Sequence, residues 1–320
     1  MRDAFPGAVN LDLLDTSLQL ELLANPHRLG ALIGESPPGQ WVVLDEIQKI
    51  PALLDEVHRL MENHDWRVAL CGSSARKLKR GGADLLAGRA LTVEMEPFSS
   101  AELGGDFDLE DALNWGTLPV VLAKPEVKPD VLSAYVDTYL REEIKQEGVV
   151  RSFAPFIRFL AVAGTMNGQP LNAENIARET RVPRTTVDGY FEVLQDTLLG
   201  FRLPAYRPGL KVREAARPKF YWLDPGVARA CAGLLRDPLA SDWRGTALET
   251  FLFHELRVWN AVAQRHRPIA YYRTAAGVEI DFVVERMIGV YRGTKRYRFD
   301  GLDVLPVLDF LRELHNGEVF

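Results

Sequence analysis

The chain has 320 residues, with 38 Lys and Arg against 44 Asp and Glu, for a formal net charge of −6. That balance excludes a uniformly basic nucleic-acid binder and leaves room only for a local basic patch. Two cysteines, Cys71 and Cys231, exclude a disulfide framework and thiolate zinc spacings, no apolar run reaches the ~18 residues of a membrane span, and the acidic start is unlike a signal peptide.

Length predicts two or three domains, and the rarity of cysteine points to a reducing cytoplasm. In chain order, VNLDLL (9–14) alternates as a strand does, and residues 16–33 have helical spacing. WVVL (41–44) is short and continuously apolar, as strands buried on both faces of a parallel sheet are. An amphipathic helix follows over 52–63, then a strand at WRVALC (66–71) and a fourth at LTVEMEP (91–97). Strand and helix alternating with short connections predict an α/β parallel sheet. Beyond Glu102 the pattern is helical. It includes one long helix at DVLSAYVDTYLREEIKQEG (130–148) and several short helices over 153–201. The strand FYWLD (220–224), a helix at 246–265, a hairpin at 269–284 and a terminal helix at 303–315 complete the expectation.

WVVL runs into Asp45 and Glu46, which places two carboxylates at the C-terminal edge of a parallel sheet, where ligands of such folds bind. One suits a magnesium ion and the other the water that attacks a γ-phosphate; the alternative is a cap for the next helix. WRVALC ends in Gly72-Ser73-Ser74, where Ser73 or Ser74 could touch the same water or phosphate.

These segments, DEIQKIPALLDEVHRL, LCGSSARKLKRGGADLLAGRA and EPFSSAEL, closely resemble a prokaryotic family of AAA+-type ATPases. The resemblance continues through YVDTYLREEIKQE, TTVDGYFEVLQDTLLGF, KFYWLDPGVARA and YYRTAAGVEIDFVVE. It implies ATP and Mg²⁺ as cofactors, Asp45 and Glu46 as the Walker B pair with Asp45 on the metal, and Ser73–Ser74 as the sensor region. It also implies that Arg89 reaches phosphate, in its own or a neighbouring subunit, and that Gly116 to Pro119 (GTLP) packs near the nucleotide. Surface and turn roles for Arg89, Gly116 and Pro119 stay open. A homo-oligomer is compatible with an arginine acting in trans.

A loop of the form G-x-x-x-x-G-K-S/T, whose N–H groups and lysine would cradle the phosphates, does not occur in the sequence. The expectation is a misassigned or truncated start, residues missing from this chain, or a decayed ATPase.

LNAENIARETRVPRTTVDGYFEVL (171–194) reads as a helix–turn–helix, with Arg184, Thr185 and Thr186 at the start of the second helix, where a recognition helix meets DNA. The basic stretch after it carries Arg207, Lys211, Arg213, Arg217 and Lys219, suited to a phosphate backbone. A packing or protein-contact role is the alternative. Further on, Glu249 on a helix and Asp281 on a strand resemble the metal site of PD-(D/E)xK nucleases. The Glu-x-Lys that such a site needs on the following strand is not found. The other reading of these two acids is structural, with Arg273 as a partner.

The expected fold is thus a P-loop-NTPase-like α/β parallel sheet without its first strand and P-loop, a helical lid, a winged helix, and an α+β restriction-endonuclease-like domain. The corresponding spans are 1–101, 102–164, 165–218 and 219–320. The expected function is ATP hydrolysis coupled to a DNA- or protein-contacting module, inactive in this chain without the Walker A loop. The alternative is a non-catalytic DNA-binding or interaction protein on a vestigial ATPase fold.

Overall fold

The computed structural model describes residues 4–34, 37, 39–72, 90–140, 144, 153–206, 217–273, 279–284, 288–299 and 302–319. The chain divides into two compact units: Met1–Glu94 with Glu143–Gly148, and the remainder, Met95–Glu142 with Val149–Phe320.

The first unit is built from β1 (Val9–Asp12), α1 (Thr16–Ala24), α2 (Arg28–Ile33), β2 (Trp41–Asp45), α3 (Leu53–Asn63) and β3 (Arg67–Leu70). Its three strands are parallel and lie in the order β1-β2-β3. β2 is central, so Val42, Val43 and Leu44 are all buried, which is why that run is apolar without alternation. Asp15 caps α1 by accepting the Ser17 N–H at 2.8 Å. α3 turns Leu53, Leu54, Val57 and Leu60 into the core alongside Leu22 and Leu29, as its three- and four-residue spacing predicts.

The expected fourth strand is not formed. Residues 91–96 pair with no strand, and Leu91, Val93 and Met95 are 96%, 83% and 90% exposed. The alternating pattern is present, but among the described residues no neighbouring strand receives it.

The second unit begins with α4 (Ser100–Leu103), α5 (Leu109–Trp115), α6 (Pro119–Leu122) and α7 (Lys128–Ala134). The long helix expected over 130–148 instead widens into a π-helical stretch over Tyr135–Leu140. α8 (Phe153–Thr165), α9 (Ala173–Thr180) and α10 (Arg184–Asp196) follow, then β4 (Gly200–Leu203) paired antiparallel with β5 (Lys219–Trp222). The boundary expected between 218 and 219 falls inside this antiparallel pair.

α11 (Pro225–Cys231) and α12 (Ser241–Val262) precede the hairpin of β6 (Ala270–Arg273) and β7 (Glu279–Val283). The chain then forms β8 (Ile288–Tyr291), β9 (Tyr297–Phe299), β10 (Leu302–Pro306) and α13 (Val307–His315), with β10 central in the last sheet. The terminal helix is thus shorter than expected. Leu302–Pro306 is spent on pairing with β8 and β9, and Pro306, lacking an N–H, stands at the helix start.

α9 and α10 form the expected helix–turn–helix. Asn172 caps α9 by accepting the Asn175 N–H at 3.3 Å, and Arg181 ends it in the left-handed conformation, at φ 58°. Val187, Tyr190, Phe191 and Leu194 form the buried face of α10. Their aromatic rings meet Phe156 and Phe159 of α8 and Phe220 of β5, with centroids 4.8–5.1 Å apart.

Candidate functional sites in the two units

In the first unit, Asp45 ends β2 and Glu46 follows at φ 58°, ψ 38°. A left-handed conformation is uncommon for a glutamate. It is held here because the Glu46 N–H donates to Asp45 Oδ1 at 3.0 Å and Gln48 Nε2 donates to Glu46 Oε2 at 2.6 Å. Gln48 is itself buried, with its amide oxygen against Gly72. A Cβ on that glycine would stand 2.3 Å from the oxygen, so the residue after Cys71 must be glycine for Gln48 to keep its place. The main chain ties the same corner: the Ile47 N–H donates to the Cys71 carbonyl at 3.0 Å and the Cys71 N–H to the Leu44 carbonyl at 2.9 Å. Burial, and then the Asp45 carboxylate, push the Cys71 thiol up to about 11, so it remains protonated and inert at neutral pH.

Both carboxylates stand half-buried at the C-terminal edge of the sheet, next to the end of β3. Asp45 can serve a magnesium ion and Glu46 a water, as far as the donor set goes. The phosphate-cradling loop that would fix a nucleotide beside them is absent from the sequence, so the residues present supply only one half of such a site. Ser73, Ser74 and Arg89 lie outside the described residues.

Gly116 and Pro119 belong to the second unit and have a visible partner there. Gly116, at φ 75°, lies so close to Asp224 that a Cβ would stand 1.8 Å from its Oδ1. Thr117 N–H donates to Asp224 Oδ2 at 2.7 Å, and Val227 N–H to Oδ1 at 3.1 Å. Burial pushes the Asp224 carboxyl up to about 6, against the pull of these backbone donors. Pro119 opens α6. GTLP therefore interlocks with the turn after β5, and this contact accounts for its glycine without a nucleotide.

At the helix–turn–helix, Arg184 is exposed but engaged: Nη1 lies 3.0 Å from Glu174 Oε1 and Nε 3.7 Å from Asp188 Oδ2. It lines an open cleft of about 420 Å³ together with Glu192, Arg202 and Arg217. Thr185 and Thr186 begin the same helix. Three carboxylates on this rim weaken the attraction of the cleft for a polyanion. Arg207, Lys211 and Arg213 lie outside the described residues. Lys219, counted in the sequence among the basic residues suited to phosphate, is not available for that role: it is 3% exposed.

The Lys219 ammonium is instead enclosed by acids. Its Nζ lies 2.5 Å from Glu279 Oε1, 3.0 Å from Asp281 Oδ1 and 3.7 Å from Glu249 Oε2. The Tyr271 ring stands 5.4 Å away, and Tyr221 Oη donates to Glu249 Oε2 at 2.9 Å. Burial opposes the charge on Lys219, but Glu279, Glu249 and Asp281 outweigh it and hold the amine above the ordinary lysine value. Burial, then the charge of Asp281, raises Glu249 above the usual carboxylate range.

Glu249 and Asp281 thus both lie against one amine, the Lys219 ammonium. The lysine comes from β5, some sixty residues before Asp281. Among the described residues, Arg273 pairs with Glu279, at 3.7 Å. Among the described residues, no group of three or more His, Cys, Asp and Glu is arranged to hold a metal ion. Sequence reasoning missed this role of Lys219. The available signal was a lysine opening a strand otherwise made of Phe, Tyr and Trp, since a lysine that is buried has to be paired.

Residues 7–104 match the AAA domain family. Residues 106–237 match a domain of unknown function (DUF8612), and residues 244–291 match another (DUF4143). The first match, with the three-stranded parallel sheet, supports an AAA-type ATPase family for the N-terminal part of the chain. Neither the comparison with curated proteins nor that with solved structures found a match.

Proposed function

We propose that the protein is a nucleotide-dependent AAA-type ATPase in which Asp45 binds Mg²⁺, Glu46 orients the attacking water, and ATP hydrolysis drives a contact made by the second unit. The observation that supports this most is the corner after β2, where two adjacent carboxylates are held at the sheet edge by a left-handed backbone and the Gln48 amide. Strained, over-determined geometry of this kind concentrates at functional sites. Hydrolysis also requires a phosphate cradle, so residues 1–320 alone should turn over ATP at background. Of the two kinds of contact, protein is favoured over DNA, because Arg184 is already paired with Glu174 and Asp188.

The test is to read the coding DNA upstream of Met1 in frame and, if it encodes a G-x-x-x-x-G-K-S/T loop, to express the longer chain. Glu46→Gln should then lower turnover by roughly 100-fold or more while Mg-ATP is still bound, and Asp45→Ala should abolish Mg²⁺-dependent binding. If no such loop is encoded and Mg-ATP does not bind, the ATPase reading fails and a non-catalytic interaction scaffold takes its place.

A further inference from the structure

Glu249, Glu279 and Asp281 form a cradle around one place in the second unit. Three carboxylates from α12 and β7 point at one place. The face of the Tyr271 ring also favours a cation there, and Tyr221 orients Glu249. The cluster is built around a positive charge, and the charge present is an ammonium delivered from β5.

We propose that Lys219 is a tethered cation that closes this cradle, so that the native protein takes no metal ion at the place where its likeness to a nuclease site would put one.

Three features support this. The ammonium is nearly inaccessible and cannot exchange with solvent ions without moving β5. It lies within hydrogen-bond distance of Glu279 and Asp281 and 3.7 Å from Glu249, so it occupies the place between Glu249 and Asp281 that a metal ion would have to take. Its backbone is also fixed by the β4–β5 pairing and by the bridge of Lys219 to Pro170, so its position does not depend on the carboxylates alone. Lys219 leaves two negative charges unbalanced, with Arg273 as the next cation at hand, on Glu279. Loss of the ammonium would leave three carboxylates facing one another, a state that favours uptake of an oxygen-seeking cation or of protons.

The experiment uses the full chain and Tb³⁺, an ion that prefers oxygen ligands and emits when tyrosine beside it is excited. Tyr221 and Tyr271 provide the antenna. The native protein should give no saturable signal that responds to Asp281→Asn. Lys219→Met should give one, at least about tenfold tighter than any native signal, as removal of a like charge a few ångströms away requires. Asp281→Asn on that background should abolish it, and Lys219→Arg should behave as the native chain.

If Lys219→Met does not fold, the pair Lys219→Met with Glu249→Gln keeps the cluster charge at its native value and provides the same readout through Glu279 and Asp281. A native signal that is lost on Asp281→Asn would overturn the proposal, because the cradle would then be open. A folded Lys219→Met chain, or the folded pair, that takes up no Tb³⁺ would overturn it too. Circular dichroism of each variant establishes folding, and no step depends on enzymatic activity.

Discussion

Asp224 shows how a single side chain couples packing to pH. It is fully enclosed and accepts from backbone N–H groups, those of Thr117 and Val227. An aspartate in the unfolded chain titrates near 3.9, whereas burial raises this one to about 6. Between those values the folded chain binds more protons than the unfolded one, so the contribution of Asp224 to stability falls as pH rises from about 4 to 6 and is flat above. The full swing is at most about 3 kcal/mol for two pKa units. Urea unfolding of the second unit at pH 4.5 and pH 7 should show this slope, and Asp224→Asn should remove it. Retention of the slope in the variant would assign it to another group. Gly116→Ala acts on the same contact without titrating. Its Cβ has no room beside Asp224 and its backbone is left-handed, so a loss of roughly 2–4 kcal/mol is expected at both pH values.

At the scale of elements, what could be read in advance follows from whether an element carries its own signal. β2 and α3 did: a continuous apolar run and a three-four spacing are local properties, and their burial matches them. The helix–turn–helix was legible for the same reason, from Asn172, Pro183 and the apolar stripe of α10. The strand expected at 91–97 was not formed, because pairing depends on a neighbour that no local pattern supplies. β10 was read as helix because LDVLP is short and apolar, where periodicity does not separate the two states. The candidate sites divide in the same way. Asp45 and Glu46 are adjacent in sequence and were visible. Lys219, Glu249, Glu279 and Asp281 are spread over three elements, and no spacing rule joins a lysine to acids that far apart.

The segment EPFSSAEL illustrates an element held by contacts that a sequence does not display. Ser99 and Glu102 form a reciprocal cap at the start of α4. Glu96 pairs with Arg257 and the Ser100 N–H donates to buried Glu255 at 2.6 Å, both on α12. His315 Nε2 lies 3.1 Å from Glu255 and 3.4 Å from the Ser100 hydroxyl. One ring nitrogen thus serves both groups, so the three are a docking contact and not a proton relay. Glu255→Gln leaves one acceptor in place and removes the charge. It should cost about 1–3 kcal/mol in the urea unfolding of the second unit, and a loss below a few tenths would mean that the segment is held elsewhere.

For the whole molecule, each of the two units has its own core. In the first, Leu44 of the central strand packs with Leu13, Leu22 and Leu53. In the second, Phe251 of α12 packs with Leu113, Phe310 and Leu311, and Phe107 stacks on it at 5.5 Å. Separate cores predict two unfolding transitions, so a single melting temperature would not describe the chain. Leu44→Ala should cost about 2–5 kcal/mol, and with roughly 4–8 °C lost per kcal/mol in a domain of about a hundred residues it should lower the first transition by about 10–40 °C or abolish it. Phe251→Ala, at about 3–5 kcal/mol, should move the other transition by a smaller step, since a larger unit loses fewer degrees per kcal/mol. Differential scanning calorimetry of the two variants separates the cases. If either substitution shifts both transitions together, the units unfold as one, and a nucleotide bound at the edge of β2 would then stabilise the whole chain. If each moves only its own, a nucleotide bound as proposed at the edge of β2 would raise the first transition alone.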